Sequence, residues 1–401
     1  MENADIGPGP APTTDVPAID VDLWSDDVLA DPYPTYARLR AVGPVLYDAE
    51  RAVYVLTRYD EIRHATQDWE TFSSAQGIGV SPKGNRRAGN GILTSDPPRH
   101  EQLRKVLNRP LLPRSLAEHQ TYVDTTAAQL VAELVDRGSF DAVADLAQRF
   151  SIEVVSTLSG FPVEGREHFM RWADDGFNTT GPDNQRCDDG WAGFFEMVDY
   201  SFNVLTPDRL APDRWGRAIH EAGSSGEVEP EACPGLVMAI VWAGMDTTVN
   251  AISSAVHLFG RHPDQWDRLR ADRSLMSSAM AEVLRIEPPV QRFTRVATRD
   301  VELGGATVPE GARIVLLFGS ANRDERRFPE PDRFDIGRNP TDHLAFGRGI
   351  HRCVGAGLAQ QELKAILEQL ADRVERFDIA ESAWRRNNGL HGLDRLLVTV
   401  R

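Results

Sequence analysis

The chain has 401 residues, 41% hydrophobic and 26% charged, which excludes whole-chain disorder and leaves ample length for a large buried core. Asp and Glu outnumber Lys and Arg by 60 to 44, a formal charge of −16, and with no basic stripe interleaved with aromatics this argues against a nucleic-acid partner. The three cysteines, Cys187, Cys233 and Cys353, are far apart and never form a C-x-x-C pair; neither a disulfide framework nor a zinc site is expected, and a reducing cytoplasm is the simplest compartment.

Residues 1–19 are rich in Pro, Ala, Thr and Gly and lack the basic and apolar regions of a signal peptide, so they read as a flexible tail. Beyond it, 20–401 shows no internal repeat and no composition break, and reads as one unit. Strand-like patches run from Pro44 to Leu56 and from Arg292 to Leu317, the latter punctuated by Gly304-Gly305 and Pro309-Glu310-Gly311. Helical patterns fill about 97–290. Asp96-Pro97-Pro98 predicts a helix start with Asp96 as N-cap, which puts His100 and Arg104 on one face. The apolar run from Cys233-Pro234 to Phe259-Gly260 predicts one helix of about seven turns, on the order of 40 Å long. It carries Asp246 and Asn250, which makes it a poor membrane span and a better buried core helix. Further helices are expected from about Ser274 to Glu287 and from just after Cys353 to about Val374. The fold class is mainly α with a smaller β-rich region.

The segment Phe346-Gly347-Arg348-Gly349-Ile350-His351-Arg352-Cys353-Val354-Gly355 carries the strongest chemical signal. Gly347 and Gly349 can take backbone angles closed to other residues and turn amide N–H groups toward a sulfur, and Gly355 leaves room for a flat ligand. Cys353 lies just before a helix, whose positive end lowers a thiol pKa. An isolated cysteine in a turn is more often a core filler; three glycines, Phe346 and His351 around it favour a metal ligand. This segment resembles the haem loop of the cytochrome P-450 monooxygenases, and the resemblance runs from Asp31-Pro32-Tyr33 to the C-terminus.

That resemblance implies a single large helical domain with haem b held between two helices. It implies Cys353 as the proximal iron ligand, with Phe346 and Gly347 beside the thiolate and His351 on a haem propionate. His100, Arg104 and Arg295 match the family's other propionate contacts. Ala243-Gly244-Met245-Asp246-Thr247-Thr248 places a carboxyl and a hydroxyl inside an apolar helix, where Thr247 can bond the carbonyl of Ala243 and loosen the helix locally. Alone this is usually a satisfied polar patch; beside the haem loop it resembles the oxygen-activation motif, in which Asp246 and Thr247 pass protons to the oxygen being activated. Glu282 and Arg285 would form a structural ion network with Arg333 of Phe328-Pro329-Glu330-Pro331-Asp332-Arg333-Phe334. The chain resembles the soluble bacterial type, with O₂ as oxidant, a ferredoxin and ferredoxin reductase as electron donors, and no membrane attachment.

Local phrases, Gly160 to His168, Ala243 to Asn250, Gly319 to Asp324 and Asn387 to Leu393, resemble bacterial members that oxidise para-substituted benzoic acids, commonly by O-demethylation. By that likeness the substrate pocket would include Arg87, Asn90, Phe177, Thr180, Ala239, Ala243 and Phe293. Arg87 falls where the group has an arginine near the substrate carboxylate, although Arg86 and Arg87 read equally well as solvated charges of the loop Gly77 to Gly91. Asn90 and Ala239 stand where that group has serines, and Thr180 where it has a second phenylalanine, which predicts a wider or more polar pocket. The expected activity is hydroxylation or O-demethylation of a small methoxylated aromatic acid or phenol. Hydroxylation of a terpenoid or polyketide is the alternative, and a peroxide-driven reaction stays open. A haem sensor or electron carrier is disfavoured, since neither needs Asp246-Thr247.

Overall fold

The computed structural model describes residues 16–88 and 91–401. At its centre the apolar run after Cys233 forms two helices, Cys233–Gly244 and Asp246–Arg261, rather than the single helix expected. The interruption falls at Met245, whose φ of −111° and ψ of −62° are a distorted right-handed helical conformation. Its cause is chemical: the Thr247 hydroxyl donates to the carbonyl of Ala243 at 2.9 Å, replacing a backbone partner with a side chain. Gly244, at the break, has almost nothing beside it, and an added Cβ would come no closer than 3.7 Å to its nearest neighbour, Ile240.

Helices Met276–Ile286 and Ala356–Arg373 pack on this axis, and Pro113–Arg137 packs on Ala356–Arg373. Each buries one stripe. In Ala356–Arg373 the stripe is Leu363, Ile366, Leu367 and Leu370, the i, i+3, i+4, i+7 spacing of a helix with one face in the core. Among the described residues Pro230–Arg261 is the one segment long and apolar enough to cross a membrane. Its Val249, Ile252, Val256 and Phe259 are packed into this helical core instead.

A five-stranded sheet builds a second core. Its order is Val45–Asp48, Val53–Leu56, Arg313–Leu317, Arg292–Ala297 and Phe72–Ser73. Val53–Leu56 pairs in parallel with Arg313–Leu317, Val55 opposite Val315, and both strands are buried throughout. Continuous burial explains why they read as unbroken apolar runs rather than alternating ones. Gly304 and Gly305, at φ +57° and +83°, make the two-residue turn that joins Val301–Leu303 to Ala306–Val308.

Three features depart from the sequence reading. The Asp96 carboxylate does not cap the following helix: that helix runs Arg99–Asn108 with Pro98 at its N-cap, and Asp96 accepts from the Ser73 hydroxyl and the Ser74 N–H instead. Residues 16–19, read as part of the tail, lie on the sheet, where Tyr47 donates to Pro17 and accepts from Ile19, each at 2.9 Å; residues 1–15 lie outside the described residues. A three-stranded sheet of Ser139–Asp141, Leu393–Val400 and Phe377–Trp384 was not expected at all.

Candidate active site

At the seam of the two cores lies a cavity of about 230 Å³, with Leu107, Val155 and Leu358 of the helical core and Phe318 and Leu344 of the sheet core in its wall. The cysteine loop forms part of that wall through Phe346, Gly347, Arg348, His351, Cys353 and Gly355. The Cys353 N–H donates to the Phe346 carbonyl at 2.8 Å, closing the loop. Gly347 and Gly349 sit at φ +63° and +66°. At Gly349 a Cβ would lie 2.2 Å from the Thr66 carbonyl oxygen, so only glycine fits.

Cys353 opens onto the cavity and is otherwise enclosed. Burial pushes its thiol pKa up, against the pull of the Gly355 and Ala356 N–H groups, Arg104 and Arg352. The lowering expected from the helix start is therefore present but outweighed. A coordinated metal cation reverses that balance, because it binds the thiolate outright.

Four of the expected anion-binding residues come together in the wall. The rings of His100 and His351 are 4.4 Å apart, and both nitrogens of His100 and Nε2 of His351 are buried with no hydrogen-bond partner among the described residues. Arg104 donates to the Arg352 carbonyl at 2.5 Å, and buried Arg295 donates to the Thr294 carbonyl at 2.8 Å. Burial lowers the Arg295 pKa to about 10; burial, then Arg295, His100 and Arg104, drive His351 down to about 2. Arg348, which the sequence reading passed over, shares this wall and leaves its Nε unpartnered. No Asp or Glu is among the described residues lining the cavity. Orphaned donors and uncompensated cations beside a single cysteine fit a metal-bearing ligand with carboxylates of its own, which is what haem b is.

Thr247 lines the cavity, while Asp246 sits behind it, fully buried. The Asp246 Oδ1 accepts from Arg385 at 2.9 Å, and Oδ2 has no partner among the described residues. Arg385 continues outward to Asp174 at 3.1 Å and to the Asn250 side chain at 3.1 Å. Burial raises the Asp246 pKa, and Arg385 pulls it back. Nothing in the sequence marked Arg385, which arrives from the C-terminal sheet.

Of the expected substrate residues, Phe177, Ala239, Ala243 and Phe293 line the cavity. Thr180 instead faces an adjoining chamber of about 60 Å³ that shares Ala239, and its hydroxyl proton is spent on the Phe177 carbonyl at 2.7 Å, which leaves it an acceptor only. Arg87 lines neither space: it is exposed, with its guanidinium 5.6 Å from the centre of the Trp191 ring. Asn90 lies outside the described residues. The apolar walls Ile78, Ile92 and Val290 went unnoticed because single aliphatic residues carry no motif.

Glu282 and Arg285, both fully buried, form a two-armed pair at 2.7 and 2.8 Å. Arg333 does not complete it. Its guanidinium pairs at the surface with Glu330 at 3.2 Å, and only its carbonyl reaches Arg285. Arg338, five residues on, supplies the second cation to Glu282 at 3.1 Å.

The family model for cytochrome P450 matches residues 220–382. Across 390 residues the chain is 40% identical to cytochrome P450 CYP199A2 of Rhodopseudomonas palustris, covering 96% of this chain and 95% of that one. It is 33% identical to the cytochrome P450 monooxygenase PikC of Streptomyces venezuelae, covering 97% and 96%. The solved structure of cytochrome P450 CREJ in complex with (4-ethylphenyl) dihydrogen phosphate superposes with a TM-score of 0.86 at 28% identity, over 93% of this chain and 98% of that one. The chain belongs to the cytochrome P450 family of haem b monooxygenases and has that family's helical fold.

Proposed function

We propose that this P450 oxidises a small methoxylated aromatic compound, with O-demethylation as its principal reaction. The observation that carries the reading is the apolar chamber bounded by Phe177, Phe293, Ala239 and Ala243, with Thr247 as the polar group at its edge. An aromatic ring is matched there by aromatic and small aliphatic side chains.

Haem b, held by Cys353, supplies activation of O₂, favoured by electron density from a thiolate ligand. The chain does the rest. His100, Arg104, Arg295 and His351 would pair with the propionates, and Phe346 and Gly347 would shape the space around the sulfur. Thr247 holds a proton at its hydroxyl and Asp246 replenishes it. Glu282, Arg285 and Arg338 tie helix Met276–Ile286 to Asn322 and to the loop from Pro329 to Asp335. The balanced reaction takes ArOCH₃, O₂, two electrons and two protons to ArOCH₂OH and water; the hemiacetal then breaks its C–O bond to give ArOH and formaldehyde. The electrons come from a ferredoxin and its reductase, in the cytoplasm.

A second reading, hydroxylation of a polyketide, is supported by 30% identity over 400 residues to 6-deoxyerythronolide B hydroxylase of Saccharopolyspora erythraea. The two are separated by supplying haem-loaded enzyme with a ferredoxin, its reductase and NADH. Stoichiometric formaldehyde from methoxyphenols or methoxybenzoates supports the first. No formaldehyde and no spectral shift from either, with a shift from macrolactones, contradicts it.

A further inference from the structure

We infer that the substrate is an uncharged aromatic, a phenol or phenyl ether, and that the site rejects the corresponding benzoate anions. The inference rests on the small-aromatic reading above and narrows it. Every Lys and Arg of the chain is among the described residues, because 1–15 and 89–90 contain none. The basic side chains in the main cavity's wall are His100, Arg104, Arg295, Arg348 and His351. They gather at the cysteine loop: Arg348 and His351 are part of the loop, His100 packs on His351, Arg104 bonds the Arg352 carbonyl, and Arg295 lines the same wall. That cluster would be taken up by the haem carboxylates.

What remains for a substrate is neutral. The rest of the main wall and all of the adjoining chamber contain no charged side chain among the described residues. Their polar side chains are largely committed, the indole N–H of Trp242 being a neutral donor left without a partner among the described residues. Thr179 and Thr180 donate to the carbonyls of Gly176 and Phe177, Thr247 donates to Ala243, and Asn85 exchanges two hydrogen bonds with the Gly79 backbone. The buried arginines of the neighbouring sheet line neither space: Arg313 donates to the carbonyls of Gln76, Gly77 and Gly79, and Arg292 to the Leu23 carbonyl and the Tyr36 hydroxyl. Arg87 is outside on Trp191. A carboxylate entering this space would lose its water with no counter-charge, whereas a methoxy or phenolic group loses little.

The test is calorimetric and Soret titration of the haem-loaded enzyme with 4-methoxybenzoate and its near-isosteric neutral partner 4-methoxybenzamide, at neutral pH. Tighter binding of the amide, on the order of a hundredfold, is expected. Equal or tighter binding of the carboxylate would overturn the inference while leaving the aromatic reading intact. Binding of neither, with syringol also silent, would remove the aromatic reading and the inference with it.

Discussion

Thr247 carries the chemistry most directly at the scale of single residues, because its hydroxyl both breaks the core helix and faces the cavity. Replacing Thr247 with Ala should divert electrons to peroxide and cut product formed per NADH by at least about tenfold. Coupling equal to wild type, measured by peroxide and formaldehyde yields, would contradict its role. A second residue reports on burial alone. Glu362 lies on the helix after the cysteine loop, wholly enclosed, and desolvation raises its pKa from 4.5 to about 8 despite a hydrogen bond from Ser151 at 3.2 Å. Between those two values the folded protein keeps a proton that the unfolded chain has released. Stability therefore falls as pH rises through that window, by up to about 1.4 kcal/mol per pH unit. Urea denaturation across the range should show Glu362→Gln losing this slope; parallel slopes for variant and wild type would refute the assignment.

Two contacts between elements invite substitution. Arg385 ties the C-terminal sheet to the core helix through Asp246 and to helix Phe169–Asn178 through Asp174. Removing it leaves the Asp246 carboxyl buried without its cation, so Arg385→Ala should cost about 3 kcal/mol, and adding Asp246→Asn should return much of it. Additive losses in the double variant would argue against the coupling. The arginines after helix Met276–Ile286 make a sharper contrast. Arg338→Ala removes a cation from fully buried Glu282 and should destabilise by several kcal/mol; Arg333→Ala breaks only an exposed pair and should cost less than about 1 kcal/mol. Similar losses from both would return Arg333 to the network. The sequence reading chose the wrong arginine for a physical reason: both lie within a few residues of the same motif, and which one turns inward is decided by the path of the loop. Arg385 was illegible because its partner lies 139 residues away. The cysteine loop, whose contacts run between near neighbours such as Phe346 and Cys353, was legible almost throughout.

For the whole molecule, the organising fact is a cavity between two cores that were read with unequal success. The helical core follows from amphipathic stripes, and the five-stranded sheet from apolar runs with glycine turns. The C-terminal sheet was missed because Phe377–Trp384 has no clean alternation and its sheet is completed by Ser139–Asp141, far away in the chain. A haem bound in the cavity would meet residues of both cores, so loading it should raise the unfolding temperature and make it depend on haem concentration. A transition unchanged between apo and loaded protein would mean that the cores hold together without it.

The account turns on one bond, between the Cys353 sulfur and iron, and the absorption spectrum of the dithionite-reduced protein under carbon monoxide reads it. A far-red-shifted Soret band in the wild type, lost in Cys353→Ser, is the predicted result; a Soret band of the histidine-ligated kind in freshly prepared wild-type protein would contradict it.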